Sequence, residues 1–263
     1  MHVSFVPELR EAIGVVVPFD MELDAELWRW VPADIDLLIT RTPYAPHRID
    51  ENFVREISRL QPVTAATRDV TTGRARVVAY GCASGSFIGG PAGERELRDA
   101  MEGAGAHHAV TTAGAIIEAL AHVGATRAAL ATPYVVALSA HLESFLAAYD
   151  VATVAHGALG LDGRIWAVDQ HVTADLIRRI DAPEADAIVV SCTNLATYDI
   201  IAPLEEELGK PIITANQATM WAALRRLGRE AVGAGQHLLS AAGAIPIVPA
   251  AFEPPAGEAE TIA

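Results

Sequence analysis

The chain contains only two cysteines, and each directly follows an apolar, strand-like run. Cys82 lies in RARVVAYGCASGSFIGG (74–90), and Cys192 in DAIVVSCTNLATYDII (186–201). A thiolate is a nucleophile and also a base toward an acidic C–H. In an open parallel sheet, ligands bind beyond the carboxyl ends of the strands. Thiols at two such ends could place a sulfur on each face of one substrate. Each cysteine precedes small or hydroxyl-bearing residues, Ala83 and Ser84 in one case and Thr193 and Asn194 in the other. These segments are expected to turn into helix N-termini, whose free N–H groups bind carboxylates and lower a thiol's pKa. Burial works against that ionisation. One cysteine at a strand end is more often a small core residue. Two, alone in the chain and equivalently placed, point to a paired catalytic role.

Other residues are candidates by position. Tyr134, in ATPY, could donate to a carboxylate or pack between lobes. Asn216, after the last apolar run, could touch substrate or cap the following helix. Arg41 and Arg164 are possible carboxylate anchors, and Asp199 suits the first turn of a helix. SFIGGPAG lacks GxGxxG spacing, and no GxSxG signature is present.

The elements that must position these residues alternate along the chain. Strands are predicted at 13–18, 35–40, 75–81, 108–112, 127–132, 151–156, 186–191 and 211–214. Amphipathic, helix-like stretches include 47–60, 113–124, 138–149 and 196–209, with Gly124, Gly209 and Gly228 placed to end helices. Strands that are apolar nearly throughout imply mainly parallel sheets covered on both faces. They fall into two sets of four, and the sets resemble each other: VVVPFD with ALATPY, VVAYGCASGSF with IVVSCTNLATY, AGAIIEALAHVG with QATMWAALRRLG. The expected fold is α/β, with two pseudo-symmetric duplicated lobes and the site in the cleft between them. The first lobe would take 1–112 and 215–250, the second 113–214. The acidic, Pro-rich tail 251–263 reads as disordered.

With 263 residues, 51% of them hydrophobic, the chain can bury substantial cores. A formal charge of −14 makes it a poor nucleic-acid ligand. Two cysteines are too few for a disulfide framework, and no spacing suggests zinc, so no metal site is expected. The N-terminus carries acidic residues and lacks a long apolar core, unlike a signal peptide. No run approaches the roughly 20 apolar residues of a membrane span. A cytoplasmic protein with reduced thiols is expected, with Trp28, Trp30 and Trp221 leaving room for a homodimer interface.

The segments YGCASGSFIGG, ATPY, VVSCTNL and GKPIITANQATMWAAL resemble the aspartate/glutamate racemase superfamily. The branch is that of maleate cis–trans isomerase, arylmalonate decarboxylase and the ectoine-utilisation racemase-like proteins. The resemblance implies catalysis without cofactor or metal. It makes Cys82 and Cys192 the family's two catalytic positions. It makes Ala83 (through its N–H), Ser84, Tyr134, Thr193 and Asn194 binding groups for a small carboxylate. In the decarboxylase the first position is glycine, so two thiols resemble the isomerases and racemases. A decarboxylase using Cys192 alone, or a non-catalytic carboxylate-binding protein, are the alternatives. One departure stands out. Maleate isomerases carry VPSSN at the first strand end, whose asparagine holds substrate, where this chain has VPFDM. Asp20 there would repel a dicarboxylate unless it faces away or is paired.

Overall fold

The computed structural model describes residues 10–45 and 48–240. Its eight strands form two four-stranded sheets in which every pairing is parallel. The first sheet contains β1 (Glu11–Val17), β2 (Ile35–Arg41), β3 (Val77–Tyr80) and β4 (His108–Thr111), in the order β2-β1-β3-β4. The second contains β5 (Arg127–Tyr134), β6 (Ala152–Leu161), β7 (Ala187–Val190) and β8 (Ile212–Thr214), in the order β6-β5-β7-β8. The same order occurs twice, as the internal resemblance predicts. All residues of the central strands β3 and β7 are buried, because helices cover both faces.

The helices of the first half are α1 (Asp24–Leu27), α2 (Glu51–Ile57), α3 (Leu60–Thr71), α4 (Ala83–Phe87), α5 (Gly90–Gly103) and α6 (Thr112–His122). Those of the second are α7 (Val136–Ala147), α8 (Gln170–Ile180), α9 (Tyr198–Leu208), α10 (Ala215–Arg226) and α11 (His237–Ser240). The stretch expected as one helix over 47–60 contains all of α2 and the first residue of α3. Arg59 between them is extended, at φ −60° and ψ 139°. Pro62 explains the break: it lacks an N–H and is tolerated only in a first turn. Gly209 does end α9, at φ 66°.

The helices that follow the last strand of each sheet cross over. α6 and α10 pack against each other, α10 also covers β3 and β4, and α6 reaches β8. A Thr112–Thr219 hydroxyl contact of 2.9 Å joins the two helices.

Two expectations need correction. Trp30 and Trp221 are core residues and present no interface, and the Trp30 indole N–H donates to Gln236 Oε1 at 2.8 Å. Trp28 remains exposed. Thr193 and Asn194 do not open a helix: the chain turns irregularly until α9 starts at Tyr198. The tail 251–263 lies outside the described residues.

Candidate active site

The order β2-β1-β3-β4 reverses its direction of growth between β1 and β3, and β6-β5-β7-β8 does so between β5 and β7. Crevices at such switch points are where open α/β sheets bind ligands. The loops after β1, β3 and β7 carry Asp20, Cys82 and Cys192, β5 ends on Tyr134, and all four residues line one pocket. Ala83, Ser84, Thr193 and Asn194 line it as well, so the pocket gathers every binding and catalytic residue that the resemblance implies. Pro18, Ile49, Phe53, Ile57 and Ile165 complete an apolar wall. The cavity is small, about 30 Å³. The lobes meet over it, where Ile49 N–H donates to Asp162 O at 2.9 Å and Arg48 pairs with Asp162 at 3.0 Å.

Each thiol is held by a local backbone arrangement. Cys82 is the N-cap of α4, and its Sγ accepts the Gly85 N–H at 3.3 Å, with Ser84 Oγ 3.8 Å away. Gly85 must be glycine, since a Cβ there would sit 2.4 Å from Tyr80 Oη and 3.0 Å from Cys82 Sγ. Cys192 Sγ accepts the Asn194 N–H at 3.4 Å. Cys192 itself has φ 115°, a left-handed conformation that non-glycine residues rarely adopt. Such strain persists only where the surroundings impose it, and it concentrates at functional sites.

Burial decides the charge state of both sulfurs. It pushes the Cys82 thiol up to about 11, against the Gly85 N–H and the Ser84 hydroxyl, while the nearby Asp20 charge adds to the rise. It pushes Cys192 up to about 12, against the Asn194 N–H and the Tyr134 hydroxyl, with Cys82 and Asp20 adding. Cys192 keeps some exposure through the pocket, yet the protein packed around it still desolvates the sulfur. The Tyr134 hydroxyl lies 3.3 Å from Ser191 Oγ, and burial raises its pKa well above the usual value, with Cys192 the next contributor. Tyr134 also packs edge-on to Phe87, which is the packing role foreseen for it.

Asn216 fits neither of its two expected roles. Thr214 caps α10, in a capping box with Gln217. The Asn216 amide lies behind the pocket, donating to Thr193 O at 3.0 Å and to Glu26 Oε2 at 2.5 Å. Glu26 is buried and also accepts the N–H groups of Thr197 (2.5 Å) and Tyr198 (2.9 Å) at the start of α9. Asn194 likewise spends its side chain on backbone, donating to Asp20 O and accepting from Glu22 N, both at 2.9 Å. Arg41 is tied to Met21 O and Asp24, and Asp199 pairs with Arg29 on the surface. Neither Arg41 nor Arg164 lines the pocket. No group of three His, Cys, Asp or Glu among the described residues could hold a metal ion. Among them, too, no helix is long and apolar enough to cross a membrane.

Comparison with known proteins places this geometry. The arylmalonate decarboxylase of Bordetella bronchiseptica is 32% identical over 191 residues, 71% of this chain and 75% of that protein. The maleate isomerase of Nocardia farcinica is 27% identical over 232 residues, 82% and 89% of the two chains. A liganded arylmalonate decarboxylase bearing glycine-to-cysteine and cysteine-to-serine substitutions superposes with a TM-score of 0.81 at 27% identity. That match covers 88% of this chain and 99% of the other. The family model described as arylmalonate decarboxylase matches residues 51–239, which include both thiols and most of the pocket wall, and the chain belongs to that family.

Proposed function

We propose that the protein is a cofactor-independent isomerase of a small carboxylate, a racemase or a cis–trans isomerase, acting through Cys82 and Cys192. The observation that carries this reading is the convergence of both thiols on one pocket lined with hydroxyl and N–H donors. In racemisation, one sulfur, as thiolate, takes the α-proton and the C–H electron pair moves onto the carboxylate as an enediolate. The opposite thiol then gives its proton to the other face, so the two sulfurs exchange roles and charge is conserved. The hydroxyls of Ser84, Tyr134 and Thr193 would stabilise the developing oxyanion. In cis–trans isomerisation, one thiolate adds to an alkene carbon and the π pair moves toward the neighbouring carboxylate. The C–C bond rotates, and the thiolate leaves as the double bond re-forms. Ala83 would contribute its N–H and Thr193 the donors of its loop. Asn194 and Asn216 would act by holding those loops.

The similarity to arylmalonate decarboxylase supports a second reading, in which Cys192 alone protonates the carbanion left by CO₂ loss. On that reading Cys82→Gly keeps full activity.

Incubation in D₂O separates these chemistries. A racemase returns the opposite enantiomer carrying one α-deuterium. A cis–trans isomerase changes alkene geometry and keeps every carboxylate. A decarboxylase releases CO₂ and leaves one deuterium. No conversion of α-amino acids, maleate or arylmalonates by the intact chain would leave a carboxylate-binding protein instead.

A further inference from the structure

Asp20 follows β1 and lines the same pocket as the two thiols. Its loop is held from the opposite lobe by the Asn194 amide, through Asp20 O and Glu22 N, and internally by Met21 N–H on Pro18 O at 3.1 Å. Asp20 is not remote from the chemistry: it lines the pocket, and its charge acts on both sulfurs. Nor is it paired among the described residues: no Lys, Arg or His among them lines the pocket, and none of their side chains donates to the Asp20 carboxylate. The pocket's hydroxyls and N–H groups can receive one substrate carboxylate. A second carboxylate would bring another negative charge against Asp20, with no cation among the described pocket residues to offset either one. An ammonium group would instead meet its counter-charge there.

We infer that Asp20 selects the substrate, a small α-amino acid with an apolar side chain, by holding its ammonium group while the hydroxyls of Ser84, Tyr134 and Thr193 hold its carboxylate. This inference rests on the paired-thiol reading above and narrows it to racemisation. With the two charged groups so placed, the α-carbon sits between the sulfurs and the side chain meets Ile49, Phe53, Ile57 and Ile165. The ammonium also neutralises the Asp20 charge that opposes thiolate formation at both sulfurs. The base is thus favoured when substrate is bound.

Three matched pairs test the inference: alanine with methylmalonate, 2-aminobutyrate with ethylmalonate, and 2-phenylglycine with phenylmalonate. Each pair differs only in ammonium against carboxylate. Binding to the full chain at pH 8 is read as protection of Cys82 and Cys192 from iodoacetamide, peptide by peptide. In the wild type, at least one amino acid should protect at a concentration at least about tenfold below that of its malonate, the scale of a close charge pair. Asp20→Asn should reverse that order, and Asp20→Glu should keep it. N-acetylalanine and N-acetyl-2-phenylglycine, which lack the cation, should not protect the wild type, a comparison that stands even if the Asp20 variants do not fold. The inference is overturned if malonates or N-acetyl compounds protect the wild type as well as the amino acids do. It is also overturned if Asp20→Asn leaves the order unchanged or if no compound protects. Selective protection by amino acids without α-hydrogen exchange in D₂O would overturn the catalytic reading and leave Asp20 as the selector.

Discussion

Replacing Glu26 should weaken the fold and disturb Cys192 together. The Glu26 carboxylate reaches from α1 to two N–H groups at the start of α9 and to the Asn216 amide. The α9 cap, Thr197, makes no side-chain capping bond of its own, so Glu26 supplies the acceptor from across the lobe boundary. Glu26→Ala strands three donors, two of them buried and one part-buried, and a buried donor left unsatisfied costs about 1–3 kcal/mol. Burial of the carboxylate itself raises the Glu26 pKa despite those donors, so removing it recovers part of the loss. The net destabilisation should be about 2–4 kcal/mol. At about 2–4 °C per kcal/mol for a chain of this size, the melting temperature should fall by roughly 4–16 °C. Glu26→Gln keeps one acceptor oxygen but turns an NH₂ toward the Asn216 NH₂, and should lose about half as much. Asn216 also holds Thr193 O, the carbonyl next to Cys192. A loosened Asn216 should therefore raise the iodoacetamide rate of Cys192 relative to Cys82 and lower turnover by about tenfold, as misplaced catalytic groups do. Calorimetry gives the stability change, and peptide-resolved alkylation at 25 °C gives the ratio. A melting temperature within 2 °C of the wild type, or an unchanged Cys192:Cys82 ratio in the folded Glu26→Gln protein, would refute the reasoning.

Three further outcomes are expected. The ligand-free thiols carry raised pKa values, so their neutral forms persist as pH rises. Alkylation should climb about tenfold per pH unit and level off only near about 11 for Cys82 and about 12 for Cys192; plateaus below pH 9 would contradict the burial argument. Gly85→Ala should cost about 1–3 kcal/mol by overpacking and should move the Cys82 sulfur, lowering turnover, whereas a melting temperature and rate like the wild type's would show that the Tyr80–Cys82 contact yields freely. At Cys192 the backbone itself favours glycine, so Cys192→Gly should be more stable than Cys192→Ala by about 1–3 kcal/mol, although both lose the sulfur. If alanine is the more stable replacement, as in ordinary extended or helical backbone, the strain at φ 115° is not real.

What could be read from the sequence was whatever depends on local pattern. Runs such as AIVV are apolar on both strand faces, which only a doubly covered parallel sheet requires. The likeness of the two cysteine segments carried the duplicated topology, and with it the meeting of the thiols. What escaped depends on pairing across the lobes. Nothing near Glu26 in the chain announces a partner 190 residues away at Asn216. The second thiol's turn was misread as a helix start because TNLATY has the composition of a cap, yet α9 waits for Tyr198 and takes its acceptor from Glu26. The contest between helix N-terminus and burial at the sulfurs is also three-dimensional. It is settled by the Ile and Phe wall, which the sequence shows only as a scatter of apolar residues at 49, 53, 57 and 165. Asp20 was visible as a departure, but its orientation was not.

The central claim is that the two thiols act as one unit on one substrate. It is tested most directly by comparing turnover of the wild type with Cys82→Ser, Cys192→Ser and the double variant, on whichever of the α-amino acids, maleate and phenylmalonate is converted fastest. Groups that act together are non-additive. Each single variant should lose about 10³-fold or more in turnover, the upper range for a positioned acid or base, and the double variant should lose little beyond either one. A Cys82→Ser protein that retains wild-type turnover while Cys192→Ser is inactive would contradict the claim and leave a single-thiol enzyme.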